Sequence, residues 1–250
     1  MKKIISTFIA IVVINSNLFA NYADLGFEAY KRGDKESANE LLSKACDNKE
    51  VKACTFLGAL YANGKDVKQD YPKAIELFTK SCDLGDSLAC YNLGIMYKTA
   101  KGVNKDYTKV IEFFTKACDK GKAVACTELG LMYTQSEGVK QDNFKAKDLF
   151  GKACEAGENA GCSNLGNLYR KGEGVKQDFF KARELFVKAC NAGRSMACLN
   201  LGFMYANAEG VKQDYVKAKE LFGKACDGKI EEGCKNYAII NKSIKQRNYI

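Results

Sequence analysis

The chain has 250 residues, no histidine, no tryptophan, one proline (Pro72) and a formal net charge of +9. It is long enough to bury a sizeable core, while the missing histidine excludes imidazole-based catalysis and the usual histidine-containing zinc cages. Scarce proline and little β-branched alternation exclude a β-rich fold. Ala, Leu, Lys, Glu and Phe recur at helical spacing instead, which predicts an all-α chain.

The first twenty residues differ from the rest. Met1-Lys2-Lys3 is basic, Ile4 to Ile14 is apolar, and Asn15 to Ala20 is a short polar stretch ending in a small residue. This order predicts a secretory signal peptide over 1–20, cut after Ala20. The apolar run is too short to span a bilayer, and no cysteine precedes Cys46 to take a lipid. The expectation is a mature chain, 21–250, with no membrane anchor: an exported monomer, periplasmic or secreted. Losing Lys2 and Lys3 lowers the charge from +9 to +7. That charge could favour anionic surfaces, but lysines scattered along helix faces read as solubilising. No basic, aromatic-interleaved groove points to nucleic acid.

The twelve cysteines form a grid: Cys46/Cys54, Cys82/Cys90, Cys118/Cys126, Cys154/Cys162, Cys190/Cys198 and Cys226/Cys234, each pair 8 apart and each pair 36 residues after the last. Such a period signals a solenoid of one repeated unit. The first cysteine of a pair ends one helix, and the second lies in the opening turn of the next. In an exported chain this predicts six local disulfides, each closing a loop that contributes roughly 2.5 kcal/mol through chain entropy. Zinc ligands usually stand two to four residues apart and include histidine, so neither a metal nor a cofactor is expected.

Between the pairs, a Leu-Gly-x-x-Tyr phrase recurs (Leu57-Gly58…Tyr61 through Leu201-Gly202…Tyr205), with Leu and Tyr on the cysteine's side of a first helix, A. A mid-helix glycine costs about 1 kcal/mol against Ala, so its recurrence predicts a close helix–helix approach. Connectors such as Gly138 to Asp142, Gly174 to Asp178 and Gly210 to Asp214 follow, with Gly for a left-handed terminus, Val to plug the hairpin and Asp to cap helix B. Asp66 replaces the glycine once, which predicts a differently formed turn there. Helix B carries an Ala/Phe stripe (Ala74/Phe78 through Ala218/Phe222) that packs on helix A. Six hairpins are expected, then a capping helix near Glu231 to Lys245 with a polar outer face (Lys235, Lys242, Lys245).

The Leu-Gly-x-x-Tyr…Ala-x-x-x-Phe-x-x-Ala phrase resembles the tetratricopeptide pattern. The first unit (Leu25-Gly26, Ala38, Leu42, Ala45) has its length, and later units carry four more residues between the helices, as in the Sel1-like variant. With a cysteine pair per unit and a leader, residues 22 to about 240 resemble the Helicobacter cysteine-rich protein family. The resemblance implies a right-handed α/α superhelical solenoid of disulfide-bridged Sel1-like hairpins, and a family label of penicillin binding and β-lactamase activity.

The residues do not supply that chemistry. No serine has lysine three positions on; Ser243 comes nearest, with Lys245 two away. Paired cysteines leave no thiolate nucleophile, and Glu40, Glu76, Glu112 and Glu184 read as a solvated face. No catalytic residue is assigned.

A binding scaffold asks for less. Solenoids expose one row of helices on a concave face. With Cys, Leu, Gly and Tyr turned inward, the residues one, two, five and eight after each helix-A cysteine are expected outward. Asn92, Asn164, Asn200 and Asn236 recur at the second of these, where an amide ladder would hold a peptide backbone. Tyr91, Ile95, Leu131, Leu199 and Phe203 are expected as exposed apolar grips, with Arg170 and Lys171 adding charge. The expected partner is an extended peptide or protein, and, from the family label, a β-lactam or cell-wall-derived small molecule.

Overall fold

The computed structural model describes residues 22–247; the leader read over 1–20 lies outside them. Among the described residues every regular element is an α-helix. In chain order they are α1 (22–31), α2 (Lys35–Asp47), α3 (Val51–Asn63), α4 (Tyr71–Asp83), α5 (Ser87–Lys98), α6 (Tyr107–Asp119), α7 (Ala123–Gln135), α8 (Asn143–Glu155), α9 (Asn159–Lys171), α10 (Phe179–Asn191), α11 (Ser195–Asn207), α12 (Tyr215–Asp227) and α13 (Glu231–Arg247). They pack as two compact units, one ending at Lys122 and the other beginning at Ala123. Odd-numbered helices are helix A of a hairpin, even-numbered ones helix B.

Each hairpin bend is built from the connector phrase. The glutamine returns its side-chain amide to a carbonyl at the end of helix A, as in Gln69 to Ala62 (2.9 Å), Gln177 to Arg170 (2.8 Å) and Gln213 to Ala206 (2.8 Å). The following Asp does two jobs. Its backbone N–H donates to the helix-A tyrosine carbonyl (Asp178 to Tyr169, 2.9 Å; Asp214 to Tyr205, 3.0 Å). Its carboxylate accepts the amide at the third position of helix B (Lys181 to Asp178, 3.0 Å; Lys217 to Asp214, 2.9 Å). Helix-end groups that would otherwise be orphaned are thereby satisfied.

The mid-helix glycine answers to the phenylalanine of helix B. A Cβ on Gly94 would come 2.5 Å from the Phe114 ring, and one on Gly130 would come 2.6 Å from Phe150. The five phenylalanines are fully buried, Phe78 and Phe114 in the first unit and Phe150, Phe186 and Phe222 in the second. Glycine is needed here for proximity, since any side chain would displace the ring on which the hairpin closes.

Helix B passes to the next helix A through a short turn clamped by a disulfide. Cys46–Cys54, Cys82–Cys90, Cys154–Cys162, Cys190–Cys198 and Cys226–Cys234 are bonded, with Cα–Cα distances of 4.7, 4.8, 4.5, 4.8 and 4.5 Å. Cys118 and Cys126 are disulfide-bonded too, and no cysteine is free.

Asp66 shows what happens where the connector glycine is missing. Elsewhere that glycine abuts the first residue of the preceding helix B, so a Cβ on Gly174 would reach Asn143 at 2.5 Å. The corresponding neighbour of Asp66 is Lys35, and the two form a 2.8 Å ion pair. The Asp66 carboxylate also accepts the Tyr30 phenol at 2.6 Å. A salt link therefore replaces close packing, and the first hairpin is tied to the second.

The closing helix departs from expectation. Lys235 and Lys242 are exposed as a cap requires, yet Tyr237 and Ile239 are exposed beside them. Among the described residues no helix B covers that side. The Lys245 side chain lies outside the described residues.

Candidate functional site

Helix A is buried by its own helix B and by the neighbouring hairpins, so only part of its circumference reaches solvent. The second, fifth and eighth positions after the cysteine are mostly half-exposed. They hold Phe56, Asn92 and Ile95 in the first unit and Leu131, Asn164, Asn167, Arg170 and Phe203 in the second.

The position one after the cysteine is not outward. Leu199 is 2% exposed and belongs to a core that includes Leu221 and Ala225, which corrects its reading as an exposed grip. Thr55, Thr127 and Ser163 occupy the same place and are also buried. Thr55 shows why: its hydroxyl meets Ser81 of helix B at 2.6 Å and donates to Asp86, the cap of the next helix A. That direction points into the corner where one repeat hands over to the next. Tyr91 is half-buried and stacks on Phe114, with ring centroids 5.7 Å apart.

The asparagines do not behave alike. Asn200 is only 9% exposed and donates its amide to Asn167 Oδ1 of the previous helix A at 3.2 Å, so its reading as an outward rung is corrected. Asn236 donates to its own helix, at the Glu232 carbonyl (2.8 Å). Asn92 and Asn164 are half-exposed, and among the described residues their side chains make no hydrogen bond. Asn167 went unnoticed in the sequence, although its place, five after the cysteine, was marked as outward.

A rule joins these contacts. The residue five after one cysteine meets the residue two after the next. Asn167 and Asn200 obey it, and Phe27 and Phe56, whose rings meet edge-on at 5.3 Å, are the equivalent pair at the first repeat, where Tyr22 stands in the place of the cysteine. Tyr30 adds a second edge contact to Phe56 at 4.9 Å. The resulting cleft in the first unit is about 470 Å³ and is lined by Asp24, Phe27, Glu28, Tyr30, Lys31 and Phe56. In the second unit, Phe203 leans edge-on against Phe222 at 5.1 Å, and Arg170 pairs with Glu209 at 3.5 Å. Lys171 reaches Glu173 at 3.6 Å.

Another regularity was missed: in α6, α8, α10 and α12 the lysine three after the capping Asp lies over the helix-A tyrosine ring, whereas Lys73 of α4 pairs with Glu76 at 3.0 Å. Lys109/Tyr97, Lys145/Tyr133, Lys181/Tyr169 and Lys217/Tyr205 stand 4.7, 5.2, 5.3 and 4.7 Å from ring centroids. The signal was present in the constant lysine of the Asp-x-x-Lys spacing. These contacts fasten helix B to helix A from the solvent side.

The helix-B carboxylates are solvated partners of lysines. Glu40–Lys44 (2.5 Å) and Glu112–Lys116 (2.7 Å) are one-turn pairs, and the Lys44 hydrogen bond holds the Glu40 carboxyl below its usual range. Such a group is no general acid at neutral pH. Among the described residues no group of three His, Cys, Asp or Glu could hold a metal ion, and no helix is long and apolar enough to cross a membrane.

Residues 22–49, 51–86, 87–122, 123–158, 159–193 and 195–229 each match the Sel1 repeat. Over 50 residues the chain is 46% identical to Beta-lactamase HcpA of Helicobacter pylori, a match covering 20% of each sequence. It superposes on c5321, a protective antigen of uropathogenic Escherichia coli with an SLR fold, at a TM-score of 0.82 and 28% identity, over 89% of this chain and 48% of that one. A Sel1 repeat protein from Oxalobacter formigenes is similar at a TM-score of 0.78 and 25% identity, over 87% and 86% of the two chains. The chain thus spans a fifth of HcpA and about half of c5321. Repeats matched from residue 22 to residue 229, closed by disulfides at their corners, settle the classification: the chain belongs to the Sel1-repeat family, as a cysteine-rich member.

Proposed function

We propose that the chain is an exported scaffold that binds an extended peptide or protein along its helix-A faces. The observation that carries this reading is the row two and five after the helix-A cysteines, half-exposed at Phe56, Asn92, Ile95, Leu131, Asn164 and Phe203. It mixes amides with apolar groups while its flanks are buried. Asn92 in the first unit and Asn164 in the second keep amides with no protein partner, and each can both donate to and accept from a peptide backbone. Leu131 and Phe203 in the second unit, and Phe56 and Ile95 in the first, offer apolar contact beside them. Disulfides at the repeat corners favour an oxidising compartment. The test is a phage-displayed peptide library selected on the oxidised protein. Peptides that lose affinity on Asn164→Ala or Leu131→Ala support the reading, and peptides indifferent to both and to Asn92→Ala overturn it.

A second reading, β-lactam hydrolysis, rests on the name of HcpA and its 46% identity over 50 residues. No activated serine, zinc cage or free thiolate is supplied by the described residues. Turnover of a chromogenic cephalosporin by purified protein, proportional to its concentration, would establish it against the scaffold reading.

A further inference from the structure

The three most exposed large apolar side chains of the second unit share one repeat position. Phe144 (70% exposed), Phe180 (65%) and Val216 (70%) are each the second residue of a helix B, in α8, α10 and α12. Four residues before each stands the connector lysine, Lys140, Lys176 or Lys212, exposed and without an ion pair among the described residues. The aspartates between them are spent on capping: Asp142, Asp178 and Asp214 accept the Lys145, Lys181 and Lys217 amides at 3.0, 3.0 and 2.9 Å. The edge therefore presents three protruding apolar tips, each four residues after an uncommitted positive charge, and Lys176 and Phe180 line one cleft. In the first unit the same tip positions hold Glu36, Pro72 and Thr108, so the feature belongs to the second unit alone. The lysines that look scattered along the sequence are, on this edge, in register.

We propose that this edge docks on an anionic lipid bilayer. Lysines aligned with exposed aromatic and aliphatic tips are the pattern of interfacial binding: the ammonium groups meet acidic headgroups while the tips enter the acyl boundary. A cleft of about 640 Å³ beside Phe180 is lined by Lys147, Tyr169, Lys176 and Lys181 among others. It has room for a phosphodiester headgroup next to an inserted ring, and because Lys147 pairs with Asp148 at 2.7 Å and Lys181 with Asp178 at 4.0 Å, Lys176 is the charge left to meet the phosphate. An acidic peptide would satisfy the lysines, but it would leave protruding tips without a wall to lie against. A bilayer covers all three at once.

The chain has no tryptophan, so Phe180→Trp in the oxidised mature chain, 21–250, places a single reporter on one tip. With vesicles of mixed phosphatidylglycerol and phosphatidylcholine, its emission shifts to the blue and is quenched by brominated acyl chains. Phosphatidylcholine alone gives no shift. In the Lys140→Gln, Lys176→Gln, Lys212→Gln background, half-maximal shift needs roughly a hundredfold more lipid. Phe144→Trp is the second reporter, and unchanged helical circular dichroism is the control for both. Emission indifferent to anionic vesicles overturns the proposal, as does an equal shift with phosphatidylcholine. A shift with polyglutamate but not with vesicles also overturns it, and makes the edge a site for acidic polypeptides.

Discussion

The phenol of Tyr30 donates a 2.6 Å hydrogen bond to the carboxylate of Asp66, one repeat length further along the chain. Lys35 completes the cluster at 2.8 Å. The Lys35 hydrogen bond first, then that of Tyr30, hold the Asp66 carboxyl below its ordinary 3.8. A carboxyl depressed in the folded state stabilises fully above its unfolded value, and the contribution is lost as pH falls through the lower folded value. Asp66→Asn is expected to lower the melting temperature at pH 7 and to flatten its decline below about pH 4, where the variant and the parent converge. Melting curves from pH 7 to pH 2.5 check this.

Glycines at different places in the hairpin have opposite expectations. Gly130→Ala puts a methyl 2.6 Å from the Phe150 ring and destabilises by about 1–3 kcal/mol through overpacking. Gly151→Ala, in α8 of the same hairpin, meets nothing within 4 Å and stabilises by about 0.5–1 kcal/mol through helix propensity. Denaturant titration of both variants decides whether space or propensity governs each site.

The asparagines separate in the same way. Asn200→Ala removes the donor to Asn167 Oδ1 and costs about 1 kcal/mol. Asn164→Ala removes no protein hydrogen bond and stays within about 0.5 kcal/mol of the parent. Equal losses at both would show that Asn164 is a structural residue and not a free rung.

Repeat, hairpin and staple were legible because each depends on neighbours at a fixed distance along the chain. Gly94 announces Phe114, Asp178 announces a helix start, and Cys190 announces Cys198. The face of helix A was less legible because its burial is set by helices from adjacent repeats. Leu199 was placed outward by counting angles around one helix, whereas the core around Leu221 and Ala225 takes it in. Asn200 carries the same residue type as Asn164 at the same position, and only the presence of Asn167 on the neighbouring helix distinguishes them. The substitution of Asp66 for glycine was visible, but its purpose was not, since Lys35 and Tyr30 come from another hairpin.

Each disulfide staples one corner. Replacing Cys190 and Cys198 together by Ser is expected to cost roughly 2.5 kcal/mol, read as a lower unfolding midpoint under non-reducing conditions, with the helical spectrum retained. A midpoint equal to the parent's would show that the corner is held by packing alone.

Because each cysteine finds its mate within the same corner, no bridge depends on how many units the array contains. Copying or deleting a 36-residue block between equivalent tyrosines carries one complete pair in or out and strands no thiol. The aspartate cap travels inside the same block, and each block brings one phenylalanine and one glycine, so the glycine–phenylalanine contacts are remade at the joins. Descendants of such a gene can therefore change in length by whole units, each newcomer arriving with its own covalent clasp.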